Sequence, residues 1–63
     1  MKTIRIRKPK RIGEKVVFRV DNKPVIIIRE LSCYKINVNG REFYLHKNAS
    51  TDEIAKEIFK KLN

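Results

Sequence analysis

Cys33 and His46 are the only thiol and the only imidazole in this 63-residue chain. A nucleophilic cysteine needs a base or cation beside it to hold the thiolate, and general acid and base work needs matched titratable partners. Nothing around Cys33 signals either, so it reads as a small packed residue, and His46 reads as a strand-end residue on the surface. A lone cysteine excludes an intrachain disulfide, and one Cys with one His excludes a Cys/His zinc cage. There is no Gly-rich phosphate loop and no nucleophile motif, and helix capping and pairing with lysines account for the carboxylates near the C-terminus. The expectation is a protein that is not an enzyme, with no cofactor, metal or small-molecule substrate.

Chemistry is present in the cations. Sixteen Lys and Arg face seven Asp and Glu, for a net charge of +9 and a pI near 10.1. Such an excess is the footprint of polyanion binding, because basic side chains that neutralise phosphates release condensed counterions. The cations also recur at alternate positions of apolar runs: Arg5 and Arg7, then Lys15 and Arg19, then Lys35, then Arg41. Tyr44 has the same outward parity, and its ring offers a base a stacking surface worth roughly 1–3 kcal/mol. No membrane is expected as partner, since the one helical pattern has mixed charge and no apolar stretch nears the roughly 20 residues of a span. The opening "MKTIRIRKPK" is basic throughout and lacks the apolar segment of a signal peptide, which predicts an intracellular protein.

Positioning these side chains falls to strands. Lys2 to Arg7 alternates, with Ile4 and Ile6 against Thr3, Arg5 and Arg7, and Pro9 ends the run. After Gly13, Glu14 to Val20 alternates again, with Val16, Phe18 and Val20 on one face. "DNKP" is a turn cluster, so Val25 to Glu30 is the return strand of a hairpin. "ELSCY" is expected to be a bend or bulge within a continuing sheet. Tyr34, Ile36 and Val38 lead into Asn39-Gly40, the strongest hairpin signal present, and "REFYLH" returns with Phe43 and Leu45 inward. "STDEIAKEIFKKL" is the one helix, with Ser50 and Glu53 as a capping box and Ile54, Ala55, Ile58, Phe59 and Leu62 as its apolar stripe. The fold class is therefore α+β: a curved antiparallel meander of four to five strands followed by one C-terminal helix. Residues 1–10 are a basic N-terminal strand or arm, and residues 11–63 are a single sheet-plus-helix domain.

One stretch breaks the alternation. "VIIIRE" runs four β-branched residues together, so both of its faces need cover. A chain this short buries only about 60% of its unfolded surface, and without a disulfide or metal the remaining support is a partner subunit. A homodimer is expected, with Val25, Ile26, Ile27, Ile28, Ile58, Phe59 and Leu62 at its interface. One parity pair, Val25 and Ile27 or Ile26 and Ile28, would face the helix and the other the second subunit.

The order of elements and several strings resemble the family of the transcriptional coactivator positive cofactor four. "RIGEKVVFRV" is similar to that family's opening strand, "VIIIRE" to its hydrophobic strand ending in Ile-Arg-Glu, and "NGREFYL" stands where its Gly-Arg-Lys-Gly-Ile-Ser-Leu string would be. The resemblance covers Arg11 to Leu62. It implies a curved four-stranded sheet with a following helix, and a homodimer that binds single-stranded DNA across the sheet. It places Arg29 on the Ile-Arg-Glu arginine and Arg41 on the lysine of the later string, both on DNA-contacting elements. The "DNK" turn is about three residues shorter than the family's, and the family's Trp after Ile-Arg-Glu is absent.

Together these readings predict a transcription-coactivator-like, non-catalytic binder of single-stranded or melted DNA or RNA with little sequence specificity. Its nucleic-acid-binding residues would be Arg5, Arg7, Lys15, Arg19, Arg29, Lys35, Arg41 and Tyr44. The alternatives are a module that reads duplex DNA with three strands, as plant transcription factors and phage integrase arm-binding domains do, and a small ribosomal or RNA-bound protein with "RIRKPKR" as an embedded arm. From another class, an exposed strand edge would suit a protein-interaction adaptor.

Overall fold

Both tight turns are fixed by residues that tolerate a positive φ. Asp21 and Asn22 have φ of 51° and 64°, and Asn39 and Gly40 have 52° and 93°. Each pair makes a two-residue hairpin loop whose twist matches the flanking strands, closed by Val20 opposite Lys23 and by Val38 opposite Arg41. The Gly40 N–H is further held by Asn37 Oδ1 at 3.0 Å. A Cβ at Gly40 would meet no atom within 4 Å, so only the backbone conformation opposes a side chain there. Gly40→Ala should therefore cost roughly 1–2 kcal/mol, read as a lower thermal midpoint in calorimetry.

These turns set the sheet. In the computed structural model, which describes residues 6–62, the strands are β1 (Lys15–Val20), β2 (Lys23–Arg29), β3 (Cys33–Val38) and β4 (Arg41–His46). They form one antiparallel sheet in sequence order, followed by the helix α1 (Thr51–Leu62). Lys23 and Pro24 belong to β2 rather than to the turn. Pro24 is tolerated because it sits at the end of the strand, where its carbonyl accepts the Asn39 N–H at 2.9 Å.

"ELSCY" differs from expectation. The chain reverses there instead of continuing, with Arg29 opposite Tyr34 and the Glu30 N–H on the Cys33 carbonyl at 2.9 Å. No Gly, Pro or Asn marks the reversal, and Ser32 is its one residue of a turn-favouring type. Gly13 forms a bulge before β1. Its N–H and the Glu14 carbonyl both bond Arg29, two residues against one, with Gly13 at φ 87°.

Alternation then separates two faces. The helix side collects Val20, Val25, Ile27, Tyr34, Ile36 and Val38, sealed by Ile54 and Ile58 of α1, with Phe18, Phe43, Leu45 and Leu62 packed at the margin. The "VIIIRE" run divides as its parity requires: Val25 and Ile27 are fully buried, whereas Ile26 and Ile28 lie partly buried on the other face. The helix starts at Ser50, whose Oγ accepts the Glu53 N–H at 3.2 Å, the forward half of a capping box. Its C-terminal carbonyl at Leu62 accepts Lys23 Nζ at 3.1 Å, a cation at the negative end of the dipole.

The N-terminal segment is not a strand over the described residues. Ile6 packs on the core, Pro9 is fully buried and Lys8 Nζ donates to the Ala49 carbonyl at 3.2 Å, while 6–10 run without sheet pairing. Lys2 to Arg5 lie outside the described residues. Lys10 and Arg11 donate their N–H groups to Glu14 Oε1 at 2.7 and 3.0 Å. Those bonds, Arg11's first, hold the Glu14 carboxyl below its usual range. A depressed carboxyl stabilises the fold above its ordinary pKa and loses that contribution as pH falls. Glu14→Gln should therefore flatten the acid side of the stability profile followed by denaturant titration.

Candidate nucleic-acid interface

Helix α1 covers one side of the sheet and leaves the other open. Across the open side, Lys15, Ile28, Lys35 and Tyr44 stand in one row, and Val17, Ile26, Asn37 and Glu42 in the next. Arg19 lies beyond, opposite Pro24, and Cys33 pairs with His46 at the far end. Lys15, Arg19, Lys35 and Tyr44 thus share a face, as expected from their parity. Tyr44 is 56% exposed and Val17 60% exposed.

Glu42 was not singled out by the sequence pattern, yet it organises this face. Its carboxylate lies 3.3 Å from Lys35 Nζ and accepts the Tyr44 hydroxyl at 3.4 Å. The hydrogen bond to Glu42 raises the Lys35 pKa above its ordinary value. Glu42 is two residues from Tyr44 on the same face of β4 and stands diagonally across from Lys35 on β3, a pairing that only the register reveals.

The other cations fall elsewhere. Arg29 shares the helix-side parity of Tyr34, with its guanidinium 5.4 Å from the centroid of the Tyr34 ring and one N–H on the Glu30 carbonyl at 2.9 Å. Arg7 lies in the unpaired N-terminal segment. Arg7 and Arg29 meet Lys8, Lys10, Glu14 and Tyr34 around a cleft of about 590 Å³ that reaches Thr51 at the start of α1. Arg41 is opposite buried Val38, so it has helix-side parity and is exposed at the Asn39–Gly40 corner, not on the open face. Arg5 lies outside the described residues. The expected single basic face is therefore two basic zones, an open sheet face and a cleft behind it. Lys8 and Lys10 of the cleft read in sequence as part of a basic N-terminal arm broken at Pro9, with nothing local to place them beside Arg29.

The expected dimer surface also divides. Val25, Ile27 and Ile58 are sealed in the core of one chain and cannot meet a second. Ile26 and Ile28 lie on the open face, whereas Phe59, 41% exposed, and Leu62 belong to the helix on the opposite side. They do not form one patch. Among the described residues no group of three His, Cys, Asp or Glu is placed to hold a metal, and no helix is long and apolar enough to cross a membrane. Comparison with protein families, curated proteins and solved structures finds no match for this chain.

Proposed function

We propose that this protein is a non-catalytic binder of single-stranded or melted nucleic acid, and that it acts as a homodimer through the open face of its sheet. The observation that carries this is the row of Lys15, Lys35 and exposed Tyr44 across that face, with Arg19 beside it, in a chain of net charge +9. Cations meet phosphates and the ring meets bases, the combination that suits unpaired strands. Duplex readout by a helix is disfavoured because Ile54 and Ile58 commit the only described helix to the core. Four strands and a following helix also match the element order that the resemblance to the positive cofactor four family implies.

Val17, Ile26 and Ile28 supply the apolar contact for a second copy. Lys15 and Arg19 flank Val17 on β1, so a seam through these residues keeps its cations at the rim, where interfaces are polar and reachable. Glu42 is the face's own competitor for Lys35. Glu42→Gln removes one negative charge beside the phosphates and frees Lys35, so single-strand affinity should rise by roughly fourfold near physiological salt, read by fluorescence anisotropy. Light scattering on a sizing column, with and without a short oligo-dT, tests the reading as a whole. A dimer that takes up the oligonucleotide supports it; a monomer that elutes apart from the oligonucleotide at low salt refutes it.

A further inference from the structure

The cleft behind the sheet gathers cations with little to neutralise them. Arg7, Lys8, Lys10 and Arg29 line it with one carboxylate, Glu14, which is engaged by the N–H groups of Lys10 and Arg11 at 2.7 and 3.0 Å. Among the described residues no ion pair joins any of the four cations to an acid. Like charges brought together repel, and an arrangement of this kind is relieved by an anion. Most of the hydrogen-bonding capacity stays free. Arg29 has given one N–H to the Glu30 carbonyl and Lys8 one to Ala49. The rest of the guanidinium fork matches a pair of phosphate oxygens.

Tyr34 points to the same ligand independently. The residue is only 5% exposed, lines the cleft, and has Lys8 and Arg29 over its ring at 6.0 and 5.4 Å. Its hydroxyl has no hydrogen-bond partner among the described residues, and it is not sealed from solvent. A largely buried phenol with an open donor, set between cations, is equipped to donate to an anion's oxygen. The cleft's volume of about 590 Å³ also lies within the roughly 300–1,000 Å³ of ligand pockets.

We infer that this cleft is a phosphate-binding site, distinct from the open face, in which Arg29, Lys8, Lys10 and the Tyr34 hydroxyl hold a phosphate group. Free phosphate and a phosphate carried by nucleic acid share this chemistry, and the oligonucleotide arms below separate the two. The site does not depend on what the open face binds.

Amide chemical shifts of the full chain, followed by NMR during titration with inorganic phosphate and with chloride at matched ionic strength, test the assignment. Phosphate should move the amides of Lys8, Lys10, Arg29 and Tyr34 saturably and leave Lys15 and Lys35 in place, while chloride does neither. Tyr34→Phe keeps the packed ring and removes only the hydroxyl; it and Arg29→Gln should each weaken phosphate binding by about tenfold. Phosphate should also raise the thermal midpoint of the parent chain. Oligo-dT bearing a 5′-phosphate, compared with its 5′-hydroxyl form, then identifies the source. Cleft shifts with both indicate a diester, with the first alone a strand end, and with inorganic phosphate alone a free anion. Shifts that do not saturate, that chloride reproduces, or that survive both substitutions overturn the site. An oligonucleotide that leaves the open face unmoved counts against the proposed function and not against the cleft.

Discussion

Replacing Lys15, Arg19 and Lys35 together by Gln should weaken binding of a single-stranded oligonucleotide by about fiftyfold at physiological salt. The magnitude follows from counterion release. Each phosphate contact to a single strand adds about 0.7 to the slope of log affinity against log salt, which at ~0.15 M is a factor of roughly four per contact. Three contacts multiply to roughly fifty and should flatten the slope by about two. Lys35 gives the smallest share, because Glu42 at 3.3 Å must release it first. The fold should be indifferent to the change, since Lys15 and Arg19 are exposed and make no ion pair among the described residues. Anisotropy titrations at several salt concentrations give affinity and slope together. Unchanged affinity in the triple variant would remove the open face as the binding surface.

Ile27→Ala should have the largest effect on stability. Ile27 is fully buried at the centre of the helix-side face, opposite Val16 on one side and Ile36 on the other. Truncating it loses its transfer free energy and leaves a cavity, at about 2–5 kcal/mol. At roughly 0.05–0.15 kcal/mol per residue, 63 residues hold only about 3–9 kcal/mol in total. The variant should therefore be extensively unfolded at 25 °C or melt far below the parent chain. Ile26→Ala, one residue away on the open face, should keep the fold and lower any dimer affinity instead. Urea titration read by circular dichroism separates the two. Equal losses at both positions would mean that the two faces of β2 are not differently covered.

The division of "VIIIRE" between two faces was legible in the sequence, but which pair meets the helix was not. Alternation in Glu14 to Val20 and Tyr34 to Leu45 placed the strands and the core face, because a period of two leaves no other assignment when one face must be buried. Asn39-Gly40, Asp21-Asn22 and the Ser50 cap were readable because their residue types carry a local mechanism. The reversal at Leu31 and Ser32 was not, since a single Ser is a weak turn signal and the β2–β3 pairing defines the reversal. The faces of Arg29 and Arg41 were not read from the sequence: Arg29 entered through the family resemblance, and Arg41 was counted with the outward cations. Parity counted along a strand puts them with Val25 and Phe43, on the helix side. They remain on the helix side because each stands at a strand end, where the sheet's margin lets a charged tip reach solvent. The cleft was invisible because it depends on where Ile6 and Pro9 pack, a tertiary contact with no periodic signature.

The most direct test of the open face as a single-strand site is a paired titration of the full chain with labelled oligo-dT and with a duplex of equal length, repeated across a range of salt. A binder of unpaired strands takes the oligo-dT more tightly at every salt concentration, with affinity falling linearly on logarithmic axes and Tyr44→Ala reducing the preference by roughly 1–3 kcal/mol. Duplex bound as tightly as the single strand, or affinity that does not change with salt, contradicts it.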